Sequence, residues 1–205
     1  RDAAARHALT SARHLVRADA STVHTFRFDP DTGAPQGGST HQGARDDSAW
    51  ARGQAWGVYG FALNHALTGG QAYLDAARRV ADHFLTRVPA DGVVYWDLSF
   101  GDGSGEEKDS SASAIAACGL LELARVCPDA EGRARYHTAG VATVEALARR
   151  YAVEPQQDGL PRALLAHGVY GKPQGAGIDE GNLWGDYFYL EALARLTRAW
   201  TPYWR

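Results

Sequence analysis

The sequence predicts an all-α fold, about three helical hairpins that make half of an (α/α)6 barrel or toroid. Apolar residues recur at helical spacing along most of the 205 residues. Helices rich in glycine, alanine and aromatic residues alternate with helices that carry charged faces, as inner and outer layers require. The second and sixth helices also share a local pattern, Trp56, Gly57 and Tyr59 matching Trp184, Gly185 and Tyr187. That match implies a hairpin repeated at roughly 65 residues, longer than the common solenoid periods.

The first helix is expected from Asp2 to Arg17, with Ala5, Leu9, Ala12 and Val16 on one face. An extended segment, Thr22 to Phe28, ends at the turn residues Asp29, Pro30, Asp31, Thr32 and Gly33. The second helix runs from Asp47 to Thr68 and stops at Gly69 and Gly70, since glycine readily takes the left-handed conformation that closes a helix. A third covers Gln71 to Val88, with Leu74, Ala77, Ala81 and Phe84 inward. The fourth, Ser110 to Val126, is small and apolar nearly all round, which predicts burial. The fifth spans Arg133 to Tyr151 and ends in arginines that suit the helix dipole, and the sixth spans Asn182 to Trp200. Residues 1–205 are read as one domain. The stretches Asp29 to Arg45, Pro89 to Asp109 and Pro155 to Gly181 exceed ordinary connections, and loops of that length commonly carry function.

Composition excludes several classes. A net charge of −3 and no basic run with interleaved aromatics argue against a nucleic-acid partner. No apolar stretch approaches the ~20 residues that span a bilayer, so no membrane role is expected. A cytoplasmic location is the expectation taken, although any signal peptide would lie upstream of Arg1 and its absence says nothing about export. Cys118 and Cys127 are the two cysteines; nine residues apart on one helix they are ~13 Å apart in rise, too far for a disulfide, and are read as reduced core thiols. Neither HxxxH nor HExxH occurs, so no metal and no cofactor are expected. Asp46 and Asp47 lack the third aspartate of a DDxxD motif, which disfavours a terpenoid cyclase. The sequence contains no methionine, which suggests a piece of a longer protein.

The run His41 to Tyr59, HQGARDDSAWARGQAWGVY, carries the chemistry. Asp46, Asp47 and Ser48 are residue types that cap a helix by accepting from its first free N–H groups. Arg52 is out of place there, because a helix start carries partial positive charge; it implies an anion held by the guanidinium and the helix end together. Trp50 and Trp56 offer flat apolar faces with one N–H each, and Gln42 and Gln54 offer amides. Ring faces, amides and a cation together suit an acidic sugar. Asp97, Asp109, Asp179, Glu180 and Asp186 are the conspicuous remaining carboxylates, and helix caps or hydrogen-bond anchors are expected of them.

HQGARDDSAWARGQAWGVYGFAL, the DSSASAIAACGLLELA run from Asp109 to Ala124, and HGVYGKPQGAGIDEGNLWGDYFYLEAL from His167 to Leu193 resemble the C-terminal half of unsaturated glucuronyl hydrolases, glycoside hydrolase family 88. The likeness extends over nearly the whole chain and implies an (α/α)6 barrel. It implies action on the unsaturated uronic acid that polysaccharide lyases leave at the nonreducing end of oligosaccharides. In that chemistry an aspartate protonates C4 of the C4=C5 enol ether and activates the water that adds at C5; the hemiketal then rearranges and releases the sugar. The resemblance places His24, Gln42, Trp50, Arg52, Trp56 and Tyr170 in the substrate pocket. It also places the two central aspartates, the acid/base among them, upstream of this chain. No catalytic residue is assigned here, the chain by itself is expected to be silent, and its partner is the N-terminal half of the barrel. No serine cluster accompanies Lys172 between Gly168 and Gly181, which leans toward unsulfated substrates. The competing readings are an unsaturated rhamnogalacturonyl hydrolase, a noncatalytic module that binds acidic saccharides, and a protein-binding scaffold.

Overall fold

The computed structural model describes residues 2–154, 162–199 and 201, and its regular structure is dominated by six helices. These are α1 (Asp2–His14), α2 (Ala51–Thr68), α3 (Gln71–Leu85), α4 (Ser110–Val126), α5 (Ala130–Arg150) and α6 (Leu183–Thr197). Helix α4 lies at the centre, with α2 and α6 on its two sides and α5 behind it; α3 backs α2, and α1 touches both lightly. An inner row of α2, α4 and α6 with α3 and α5 outside is the alternation that the sequence implies.

Local chemistry explains the arrangement. Every residue of α4 from Ser110 to Ala124 is buried, as a helix without a charged face must be. Gly119 is the point of closest approach: a Cβ there would lie 2.6 Å from the Tyr59 backbone nitrogen and 2.8 Å from its Cα. Helix α3 buries Tyr73, Leu74, Ala77, Val80, Ala81 and Phe84 and turns its charged residues out. Helix α2 ends at Gly69, left-handed at φ 71°, whose N–H donates to His65 O at 2.7 Å. Between the inner helices, Arg195 of α6 pairs with Glu122 of α4 at 2.6 Å and with Glu191 at 2.9 Å, and the Tyr59 hydroxyl of α2 donates to Glu191 at 3.0 Å. Burial first, and then the Glu191 charge, raise the pKa of Tyr59.

Most helix bounds differ from the sequence expectation by a turn or less. Helix α1 ends at His14 rather than Arg17, α3 at Leu85 rather than Val88, and α5 begins at Ala130, where the Asp129 side chain accepts from Gly132 N–H at 2.7 Å. Helix α6 ends at Thr197, and Trp200 lies outside the described residues. The start of α2 is a correction with a physical reason. Asp46, Asp47 and Ser48 do not cap it; Trp50 occupies the cap position in extended conformation with no side-chain cap. The segment around Trp96 holds the chain extended there, because Ala51 N–H donates to Trp96 O at 3.0 Å and Leu98 N–H to Ala49 O at 2.9 Å.

Two short hairpins interrupt the helices. Strand β1 (Thr25–Phe28) pairs antiparallel with β2 (Pro35–Ser39), and β3 (Gly168–Gly171) pairs antiparallel with β4 (Ala176–Glu180). Strand β1 lies in the segment Thr22 to Phe28 that the sequence reads as extended, whereas β2, β3 and β4 fall in two of the three long stretches read as loops; residues 155–161, which open the last of these, lie outside the described residues. Each long stretch precedes the N-terminus of an inner helix, and cross-links such as Ser110 N–H to His167 O at 3.0 Å gather those three helix starts together.

Candidate functional site at the helix starts

Arg52 sits in the first turn of α2 with its side chain 3% exposed. Its guanidinium lies 2.9 Å from Asp109 Oδ2, donates to Ser111 Oγ at 3.0 Å, and donates to the carbonyls of Val169 and, at 2.6 Å, Tyr170. An anion does accompany the cation at the helix start, as charge complementarity requires, but it is this chain's own Asp109 rather than an open position for a ligand. Asp109 also caps α4 by accepting from Ser111 N–H and Ala112 N–H. One carboxylate thus fixes the starts of two inner helices. The guanidinium lies over the Trp50 ring at 4.7 Å and the Trp184 ring at 5.6 Å.

Gln42 joins the same assembly by donating to the Tyr170 carbonyl at 2.9 Å, so two side chains converge on that oxygen. The Tyr170 ring is itself exposed and stacks on Trp184, centroids 5.4 Å apart at 19°. On the other side of Trp50 the His24 ring packs at 4.4 Å, with His41 4.0 Å from His24. Burial first, then the neighbouring charges of His41 and Arg52, push the His24 pKa down to about 4. His24, Trp50 and Trp56 line a cavity of about 430 Å³ between α1 and α2, a volume in the range of small-molecule sites. All six expected residues therefore belong to one contiguous patch, three on the cavity and three on the adjoining rim.

Gln54 does not belong to it. The side chain is fully buried, accepts from Thr22 N–H at 2.7 Å and donates to Ala20 O and Val80 O, a tether between α2, α3 and the preceding loop. The remaining carboxylates act largely as expected. Asp97 accepts from Ala44 N–H, the Ser48 hydroxyl and Ser99; Asp186 accepts from Leu164 N–H and Leu165 N–H; Asp179 pairs with His167 at 2.6 Å. Trp184 and Asp109 are the members that the site reading missed. Trp184 carried a signal, its place opposite Trp56 in the repeated pattern, whereas nothing local marks Asp109 as the partner of a residue 57 positions away. Among the described residues no cluster of three or more His, Cys, Asp or Glu side chains could hold a metal, and no helix is long and apolar enough to cross a membrane.

No protein-family model matches the chain. The unsaturated chondroitin disaccharide hydrolase of Streptococcus pyogenes serotype M1 is 49% identical over 205 residues, which is all of this chain and 51% of that protein. The crystal structure of the unsaturated glucuronyl hydrolase of Bacillus sp. GL1 superposes with a TM-score of 0.90 at 50% identity, over 95% of this chain and 52% of that one. The chain is homologous to the C-terminal half of unsaturated glucuronyl hydrolases. A variant of the Streptococcus agalactiae unsaturated glucuronyl hydrolase, complexed with dGlcA-GalNAc6S, matches at 43% identity and a TM-score of 0.88, over 99% of this chain and 54% of that one. The chain spans about half the length of the relatives it matches, and its three hairpins are half of their (α/α)6 barrel.

Proposed function

We propose that this chain is the saccharide-holding half of an unsaturated glucuronyl hydrolase, which removes an unsaturated uronic acid from the nonreducing end of lyase-generated oligosaccharides by hydrating its C4=C5 enol ether. The observation that carries the reading is likeness over the full length of the chain, near 50% identity, to hydrolases of that name. His24, Trp50 and Trp56 form the wall against which a sugar ring packs, and Gln42, Arg52 and Tyr170 form the rim. Arg52 acts through the Tyr170 carbonyl and the two tryptophan faces rather than as a free cation. The acid/base aspartate is supplied by the half of the barrel that this chain does not span, so the chain alone is catalytically silent. Lys172 is engaged by Glu107 and by Glu106 at 3.5 Å, which leaves little positive charge for a sulfate at that rim and favours unsulfated substrates.

The test joins the chain to the N-terminal half of a homologous hydrolase and follows the ultraviolet absorbance of the C4=C5 chromophore of an unsaturated chondroitin or hyaluronan disaccharide. Loss of absorbance that Trp50→Ala slows at least tenfold is the expected result. A folded assembly that leaves every such disaccharide intact while still binding it supports a noncatalytic module instead.

A further inference from the structure

His24 faces the cavity, and what it can do for a sugar depends on which ring nitrogen carries the proton. Around the ring, the chain supplies partners to one nitrogen. His24 Nδ1 lies 3.2 Å from Thr40 Oγ1 and accepts from the His41 backbone N–H at 3.5 Å. Thr40 Oγ1 already accepts from Gly43 N–H at 2.8 Å, so the hydroxyl proton is available to Nδ1. An amide N–H cannot reverse its polarity, and a proton on Nδ1 would face it directly. No partner engages Nε2 among the described residues.

We propose that Thr40 is a positioning residue that holds His24 as the neutral Nε2–H tautomer, so that the edge facing the cavity presents one fixed donor to a hydroxyl or carboxylate of the saccharide. The role in saccharide binding rests on the function proposed above; the tautomer does not. The local build agrees with it. Thr40 N–H donates to Asp46 Oδ1 at 2.7 Å, so the carboxylate expected to cap α2 instead anchors the residue that aligns His24. Gly43 has no room for a side chain, since a Cβ would lie 2.8 Å from Thr40 Oγ1 and 3.1 Å from Asp97 Oδ2. The charged and titratable groups around the ring are His41 and Arg52, with Asp46 behind Thr40, and the two basic groups oppose an imidazolium.

Histidine-selective ¹⁵N labelling of this chain and long-range proton–nitrogen correlation spectra read the tautomer directly. His24 is expected to show a protonated Nε2 and an unprotonated Nδ1, and to hold that pattern from neutral pH down to about pH 5, below the ordinary histidine pKa. Thr40→Val is expected to shift the tautomer ratio several-fold toward Nδ1–H, and Thr40→Ser to restore it. A native His24 with Nδ1 protonated overturns the proposal, as do Thr40→Val and Thr40→Ser spectra with the same ratio. Titrating in an unsaturated chondroitin disaccharide then reads the site: a shifted His24 Nε2 resonance is the expected result. An unmoved one defeats the saccharide reading while leaving the tautomer assignment in place.

Discussion

Arg52 illustrates how a residue type can be read correctly and its partner wrongly. A cation in the first turn of a helix demands an anion, but at 3% side-chain exposure the anion is a buried carboxylate from the same chain. Removing one member of such a pair leaves the other charged, buried and unpaired, so Arg52→Ala is expected to cost about 3–5 kcal/mol of stability in denaturant titrations. Arg52→Met combined with Asp109→Asn should recover part of that loss, since no uncompensated charge remains. His24 gives a pH-dependent expectation. Its folded pKa of about 4 lies below the ordinary value of 6.5, so the unfolded chain takes up the proton first as pH falls. Its contribution to stability is therefore complete above pH 6.5 and is lost on descending toward pH 4. His83, lowered first by burial, acts in the same direction. Stability measured across that window should fall with pH, and His24→Gln should flatten part of the fall.

At the scale of elements, the decisive contact is between α2 and α4. Gly119 allows the α2 backbone against α4, and an added methyl would meet backbone rather than a side chain that could turn aside. Gly119→Ala is accordingly expected to destabilise the chain by about 1–3 kcal/mol despite its better helix propensity, visible as a lowered Tm with unchanged helical circular dichroism. This helix was the most legible part of the sequence. Its composition and the Asp109 cap are local, and the expected bounds Ser110 to Val126 match the observed ones. The start of α2 was not legible, because it is set by hydrogen bonds to Trp96 and Leu98, more than 40 residues away. The β3–β4 hairpin was missed for a different reason. GVYG and AGIDE show no apolar alternation, and their pairing is held in place by Arg52 and Gln42 bonded to the carbonyls of Val169 and Tyr170. That the six residues named from their types and the family resemblance lie near one another is a contact pattern the structure supplies; the wiring among them, such as Arg52 to Asp109 and Gln42 to the Tyr170 carbonyl, was not legible, because those contacts join residues 57 and 128 positions apart.

For the whole molecule, the consequence of a half ring is written on its two edges. In a closed (α/α)6 barrel every inner helix has an inner neighbour on each side. Among the described residues helix α4 packs along both α2 and α6, whereas α2 and α6 each pack along α4 and meet one another through the side chains of Trp56, Tyr59, Phe188 and Glu191. The outer side of α6 presents Leu183 and Leu190, seven residues apart on one face, and Leu183 is 78% exposed. The other side of α2 borders the cavity beside α1, where Leu15, Val16 and Trp56 are half-buried apolar lining. Contiguous apolar faces of this kind drive association in water. The chain on its own is therefore expected to self-associate, with a weight-average mass in sedimentation equilibrium that rises with concentration. Leu183→Lys together with Leu190→Lys should return it to a monomer without loss of helix content, because neither side chain enters the core. Addition of the N-terminal half of a homologous barrel should compete with self-association and raise the Tm of the wild-type chain more than that of the double variant. A wild-type chain that stays monomeric at every concentration, with a sharp unfolding transition, would show that the inner row is stable with its edges open and that ring closure contributes little to its folding.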